Sequence, residues 1–471
     1  AAVALTAEQS GEEHTHYLCG ETTCNEVGGH KDSEITFTKL WMNGTTLTIG
    51  DDTAVGVSNV KKNLSSTIDC YVLPKGNYYL GSDITLDHPL YIDENSQTVN
   101  LCLNGKTITA DGDFDAVILY RYVGGAATTF SLTDCGDTGK ITHTDGKTGS
   151  GVYAYSHFKA TFNMYGGTIS GNKTSTNGGG VCMDSSYASV FHMYGGTITD
   201  NTTSGNGGGV YIDNERLCEF YMYGGTIKNN SATNGGGVYA ACGNVEIADG
   251  SIENNTATNN GGGVNIGSLS TVDFTMSGGS IENNNAGTNG GGMYVGSTGR
   301  VTMSGAVTIT GNKVNSDANN VYLITNKLIT VASDLNGASI GVTTEKTPET
   351  GNFTKVAVGS TNHSLTDEDE KAFSPDAGSS YTIAQTNGAI ILKKAGDDTL
   401  HYHPVCGEEC THLKADGTPE HESIYWEGVS ELSNNMPAGY YYLTDDVELT
   451  KTWAPYYDVA LDLNGHDIDV M

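Results

Sequence analysis

Proline is scarce, with 8 in 471 residues, and arginine scarcer still, confined to Arg121, Arg216 and Arg300. No run approaches the roughly 18 apolar residues of a membrane-spanning helix, so insertion of this segment into a membrane is not expected. Charged residues make up 17% of the chain and acids outnumber bases, for a net charge of −32. That balance argues against a nucleic-acid backbone or an anionic membrane as partner. Helical periodicity is missing too. What is abundant is glycine, 63 residues, interleaved with apolar positions that recur in register, which separates the chain from a disordered one.

The recurrence is a tandem repeat. MYGGTISGN at 164–172 returns as MYGGTITDN at 193–201, MYGGTIKNN at 222–230, IADGSIENN at 247–255 and MSGGSIENN at 276–284, then as MSGAVTITGN at 303–312. An NGGG block separates consecutive copies. A period in the twenties with strand-type residues predicts a solenoid in which each repeat is one turn. Three apolar columns follow: Phe162/Met164 and their equivalents, Ile169 and its equivalents, and Val181/Met183 and theirs. The expected fold is therefore all-β, a right-handed parallel β-helix of about a dozen turns. Three residues after each stacked Ile stands an asparagine, at 172, 201, 230, 255, 284 and 312, expected to line a corner and satisfy its polar groups. The glycine triplets lack a P-loop lysine and a following helix, and need no phosphate to explain them.

A longer repetition surrounds the solenoid. HTHYLCGETTC from His14 is echoed by HYHPVCGEEC at 401–410, PKGNYYL from Pro74 by PAGYYYL from Pro437, and LCLNGKTI at 101–108 by LDLNGHDI at 461–468. The expected organisation is a His/Cys cap at 1–74, the β-helix at 75–397 and the start of a second, incomplete module at 398–471. The opening AAVALTAEQS reads either as the end of a secretory signal or as an arbitrary start to the chain.

The GGTIxxN repeats resemble those of bacterial surface proteins with right-handed parallel β-helices. They are similar to the repeats of chlamydial polymorphic outer-membrane proteins, with Ile here in place of that family's Phe before xxN. The PAGYYYL and LNG phrasing resembles modular surface proteins of anaerobic Gram-positive gut bacteria more closely. The resemblance implies an extracellular, cell-surface location.

Three sets of residues are candidates for chemistry. In the cap, His16, Cys19, Cys24 and His30, with His14 beside them, have the residue types of a tetrahedral zinc site, as do His403, Cys406, Cys410 and His412 in the second module. The other reading is a pair of local disulfides, Cys19–Cys24 and Cys406–Cys410. Zinc is the preferred expectation, in a structural role, because Cys and His recur together while the loop between them changes length. Alternation along the strands predicts two outward tyrosine rows, one of Tyr211, Tyr239, Tyr294 and Tyr322, the other of Tyr165, Tyr194 and Tyr223. Such rows can stack on sugars or anchor a protein, or merely stack on one another.

The acids Asp184, Asp213 and Asp249 align neither with one another nor with an arginine; Asp111, Asp113 and Asp115 have the residue type to gather a Ca²⁺ but lack the rest of a ligand loop and read as a solvated acidic turn, and the DEDE run at 367–370 reads as ordinary surface. The chain is thus expected to be a non-catalytic surface adhesin or scaffold for a glycan or a surface protein. The alternatives are a polysaccharide lyase or glycosidase on the same fold, and a stalk that self-associates through its C-terminal partial module.

Overall fold

The computed structural model describes residues 14–16, 35–61, 67–92, 98–121, 127–156, 159–184, 189–213, 218–267, 270–386, 388–396, 402–403, 424–443, 445–463 and 467–470. Two compact units are present, residues 1–322 and 323–471.

The first unit holds a right-handed parallel β-solenoid, which runs to about nine turns rather than a dozen. One ladder runs through the strands Gly76–Leu80, Thr98–Cys102, Thr128–Thr133, Ala160–Met164, Val190–Met193, Glu219–Met222, Gly243–Ile247, Val272–Met276 and Gly299–Met303, all parallel. Register is set by like residues stacking on like. Phe162, Phe191 and Phe220 are paired across strands, with ring centroids 4.8 and 5.0 Å apart, close to the rung spacing of a sheet. The isoleucine column pairs Ile141 through Ile309 turn by turn, and the valine column pairs Val152, Val181, Val210, Val238 and Val264. These side chains are buried, each contributing about 1.5–3 kcal/mol. Slipping one strand by one residue would turn its column outwards.

The asparagine column is a continuous buried ladder. The Nδ2 atoms of Asn172, Asn201, Asn230, Asn255 and Asn284 each donate to Oδ1 of the next member at 2.9–3.0 Å, and Asn312 donates to Asn320. Each Oδ1 also accepts the backbone N–H of the preceding member, as between Asn201 N and Asn230 Oδ1 at 3.0 Å. The left-handed backbone of the corner lies one residue earlier, at Gly171, Asp200, Asn229, Asn254, Asn283 and Gly311. The ladder asparagines are therefore there for their amides. The last glycine of each triplet faces this column. A Cβ on Gly209 would meet Gly237 O at 2.7 Å, Ile227 Cγ2 at 2.8 Å and Asn230 Nδ2 at 3.0 Å.

Parallel pairing starts before residue 75. Ile35–Asn43 pairs parallel with Gly76–Leu80, and Thr67–Val72 with Leu90–Ile92. The 1–74 segment thus supplies rungs of the parallel ladders. Its short strand His14–His16 runs antiparallel to Ile35–Asn43, with His14 opposite Phe37 and His16 opposite Ile35.

In the second unit, Phe353–Gly359 and Tyr381–Thr386 both pair antiparallel with Ala389–Lys394. Downstream, the echoed motifs adopt one local structure. Tyr78 Oη donates to Pro74 O at 3.0 Å, and Tyr441 Oη donates to Pro437 O at 3.0 Å. The same register follows in each, with Tyr78 opposite Leu101 and Tyr441 opposite Leu461.

The DEDE run is more than surface. It forms a short helix, Asp367–Lys371, with Thr366 as N-cap, and Asp369 is fully buried. Its carboxylate accepts from the backbone N–H groups of Leu335 and Thr366 and lies 2.9 Å from His363 Nε2. Burial alone would raise its pKa, but these hydrogen bonds outweigh that and hold it below the usual 3.8. Asp113 and Asp115 likewise accept backbone N–H groups of the next turn, from Thr148 and Ser150.

Candidate metal centre and aromatic face

Four side chains from three separate parts of the chain converge at the start of the solenoid. His14 and His16, alternate residues of one strand, share a face. Cys102 ends one rung, and Cys135 lies two residues beyond Thr133, the partner of Cys102 on the next. One ligand atom from each of the four lies within 4.8 Å of all the others. Cys102 Sγ and Cys135 Sγ are 3.0 Å apart, and His14 Nε2 is 3.3 Å from Cys135 Sγ.

The imidazoles are held by aromatic packing. His14 stacks on Tyr79 with centroids 4.3 Å apart, His16 stacks on Phe37 at 4.3 Å, and the two histidines meet edge to face at 4.9 Å. The Cys102 thiol, followed by His14 and His16, lowers the pKa of Cys135 against the opposing effect of burial. Cys102 is pushed up by its partner sulfur and by burial.

Of the residues expected from the sequence, His16 and its neighbour His14 belong to this group. Cys19, Cys24, His30, Cys406, Cys410 and His412 lie outside the described residues, as does the side chain of His403. Cys102 and Cys135 carry no sequence signal at all. They are 33 residues apart, and only the length of the intervening turn juxtaposes them.

The tyrosine rows divide. Tyr211 and Tyr239 are not exposed: each is 5% accessible, and they form a buried cluster with Cys182 and Ala241 on the outside of the valine column. Their rings stack at 5.5 Å. Asn265, also buried, interrupts the row before Tyr294 and Tyr322, which are half-buried and stack at 5.9 Å.

In the second row Tyr165 and Tyr194 are half-buried and Tyr223 is exposed. Tyr165, Tyr194 and Tyr223 stack in order with centroids 4.8 and 5.2 Å apart. Beside them, in the outward column of the first ladder, stand Asn163, His192, Tyr221 and Glu246. His192 Nδ1 is 3.0 Å from Asn163 Oδ1, its ring is 5.3 Å from that of Tyr221, and burial lowers its pKa. Within the stack the ring faces cover one another.

The stack ends at Tyr223. The next turn offers Ala248 at this position and Glu246 opposite Tyr221, since IADG replaces MYGG there. Tyr221 and Tyr223 lie side by side along the strand, centroids 6.2 Å apart and planes within 4° of parallel, and Tyr223 is 40% accessible. The two parallel rings form a shelf, with Glu246 opposite Tyr221 on the next turn. Burial and the charges of Glu219 and Glu246 raise the pKa of Tyr221, and burial and Glu246 raise that of Tyr223, so both hydroxyls stay protonated donors near neutrality.

No protein-family model, curated protein or solved structure matches this chain.

Proposed function

We propose that the chain is a non-catalytic binding scaffold of a bacterial cell surface, and that it recognises a glycan on the shelf formed by Tyr221 and Tyr223. The observation that carries this reading is the parallel pair of rings itself, placed where the aromatic column gives way to Ala248. Aromatic faces stack on the C–H faces of sugar rings, while the carboxylate of Glu246 and the tyrosine hydroxyls supply hydrogen bonds for sugar hydroxyls. A net charge of −32 repels polyanions, which favours a neutral glycan over an acidic one. The shelf sits on a rigid ladder, so little ordering is lost when a ligand binds.

The test is retention of the protein on neutral and acidic polysaccharides, with released sugars assayed in the same samples. Retention on a neutral polymer, abolished by Tyr223→Ala and unaccompanied by products, is the expected result. Released products would replace this reading with an enzymatic one. Retention unchanged by Tyr221→Ala and Tyr223→Ala would move the site elsewhere.

A further inference from the structure

We infer that His14, His16, Cys102 and Cys135 form a structural zinc site that fastens the N-terminal strand to the first rungs of the solenoid. The donor set is two imidazoles and two thiols, one of the standard closed tetrahedral sets for Zn²⁺. With Zn–N near 2.0 Å and Zn–S near 2.3 Å, the edges of such a tetrahedron are about 3.3–3.8 Å. The His14 Nε2 to Cys135 Sγ separation of 3.3 Å is already such an edge, and the sulfurs at 3.0 Å need to part by less than an ångström.

A disulfide between Cys102 and Cys135 is the competing use of the two sulfurs, and it leaves the histidines unexplained. Two imidazoles from one strand are aimed at the sulfur pair, and each is braced by its own aromatic ring, Tyr79 for His14 and Phe37 for His16. Bracing of this kind fixes ligand orientation, the task that outer-shell partners perform in metal sites. The location also gives the metal a task. His14–His16 is three residues long and, among the described residues, pairs with Ile35–Asn43. So short an edge strand holds poorly by hydrogen bonds alone, and a metal bridging it to residues 102 and 135 ties three distant segments together. Four protein ligands leave no open position, so the role is structural. On binding, the two thiols give up their protons to solvent as the Zn–S bonds form.

The experiment uses the full chain, purified under reducing conditions, incubated with ZnCl₂ and freed of excess. Metal content is measured for the parent, for Cys102→Ser/Cys135→Ser and for Cys19→Ser/Cys24→Ser. Loss of one zinc per chain in the first variant, with retention in the second, is the expected pattern. Zinc content unchanged in Cys102→Ser/Cys135→Ser would overturn the assignment.

Because that variant can lose its fold as well as its metal, the unmutated protein provides a second readout. Zinc should slow alkylation of Cys102 and Cys135 at least tenfold, and a chelator should restore the rate. Co²⁺ should give the visible bands of a tetrahedral thiolate site. Equal alkylation with and without zinc would refute the proposal, as would a Cys102–Cys135 disulfide in the protein isolated under anaerobic conditions.

Discussion

His143 Nδ1 lies 2.7 Å from Asn172 Oδ1, and its Nε2 lies 2.7 Å from the carbonyl of Phe114. Asn172 is already committed to donate its amide to Asn201, so its oxygen is the acceptor that His143 meets. The histidine starts a chain of buried amides that runs through seven asparagines to Asn320. Each rung fixes the amide orientation of the next, and the ladder carries the polar groups of the corner through an otherwise apolar interior.

Interrupting this chain in its middle should be costly. Asn230→Ala removes the donor to Ile198 O and Asn255 Oδ1 and the acceptor for Asn201, leaving buried partners unsatisfied. The expected loss is about 2–4 kcal/mol, read as a lower denaturation midpoint of the solenoid transition. Asn230→Asp should also destabilise, since it replaces a donor by a buried charge facing Asn255 Oδ1.

Close approach between turns makes a second prediction. Gly209→Ala brings a methyl against Gly237 O and Ile227 at distances no Cβ tolerates, so it should cost about 1–3 kcal/mol. The same change at Gly44, where a Cβ meets nothing within 4 Å but φ is +63°, tests backbone strain alone and should cost less, about 1 kcal/mol. Thermal unfolding of the two variants compares them directly.

Much of this was legible in the chain. The Phe, Ile and Val columns and the asparagine ladder follow from spacing, because in a parallel solenoid residues one period apart must stack. The His/Cys cluster was hidden: Cys135 lies two residues beyond Thr133, the rung partner of Cys102, so only the turn between them brings the two sulfurs together, and Asp462 stands in the echoed position of Cys102. The burial of Tyr211 and Tyr239 was hidden for a related reason. Alternation says that a side chain leaves the interior, but not whether Cys182 and Ala241 then enclose it. Asp369 lay within an acidic run whose other members are at the surface or only partly covered, and it is the capping geometry of Thr366 that draws it inside.

That aspartate sets a pH dependence in the second unit. Its folded pKa is below 3.8, so the carboxylate binds fewer protons in the folded state than in the unfolded one around that pH. The stability it contributes is complete above the unfolded value and is lost as pH falls through the folded value. Acid titration of the parent against Asp369→Asn, followed by circular dichroism, should show a parent advantage near neutrality that shrinks below about pH 4.

The two tyrosine rows should separate stability from binding. Tyr239→Ala opens a cavity in the buried cluster and should cost about 3–5 kcal/mol, as large aromatic truncations do. Tyr223→Ala removes a side chain that is 40% accessible and should shift the melting midpoint far less.

The most direct measurement is calorimetric titration of one retained neutral oligosaccharide into the parent, Tyr223→Ala and Tyr294→Ala. At least a tenfold loss of affinity is expected for Tyr223→Ala, with Tyr294→Ala binding as the parent does. Parent-like affinity in Tyr223→Ala, or loss in Tyr294→Ala alone, would contradict it.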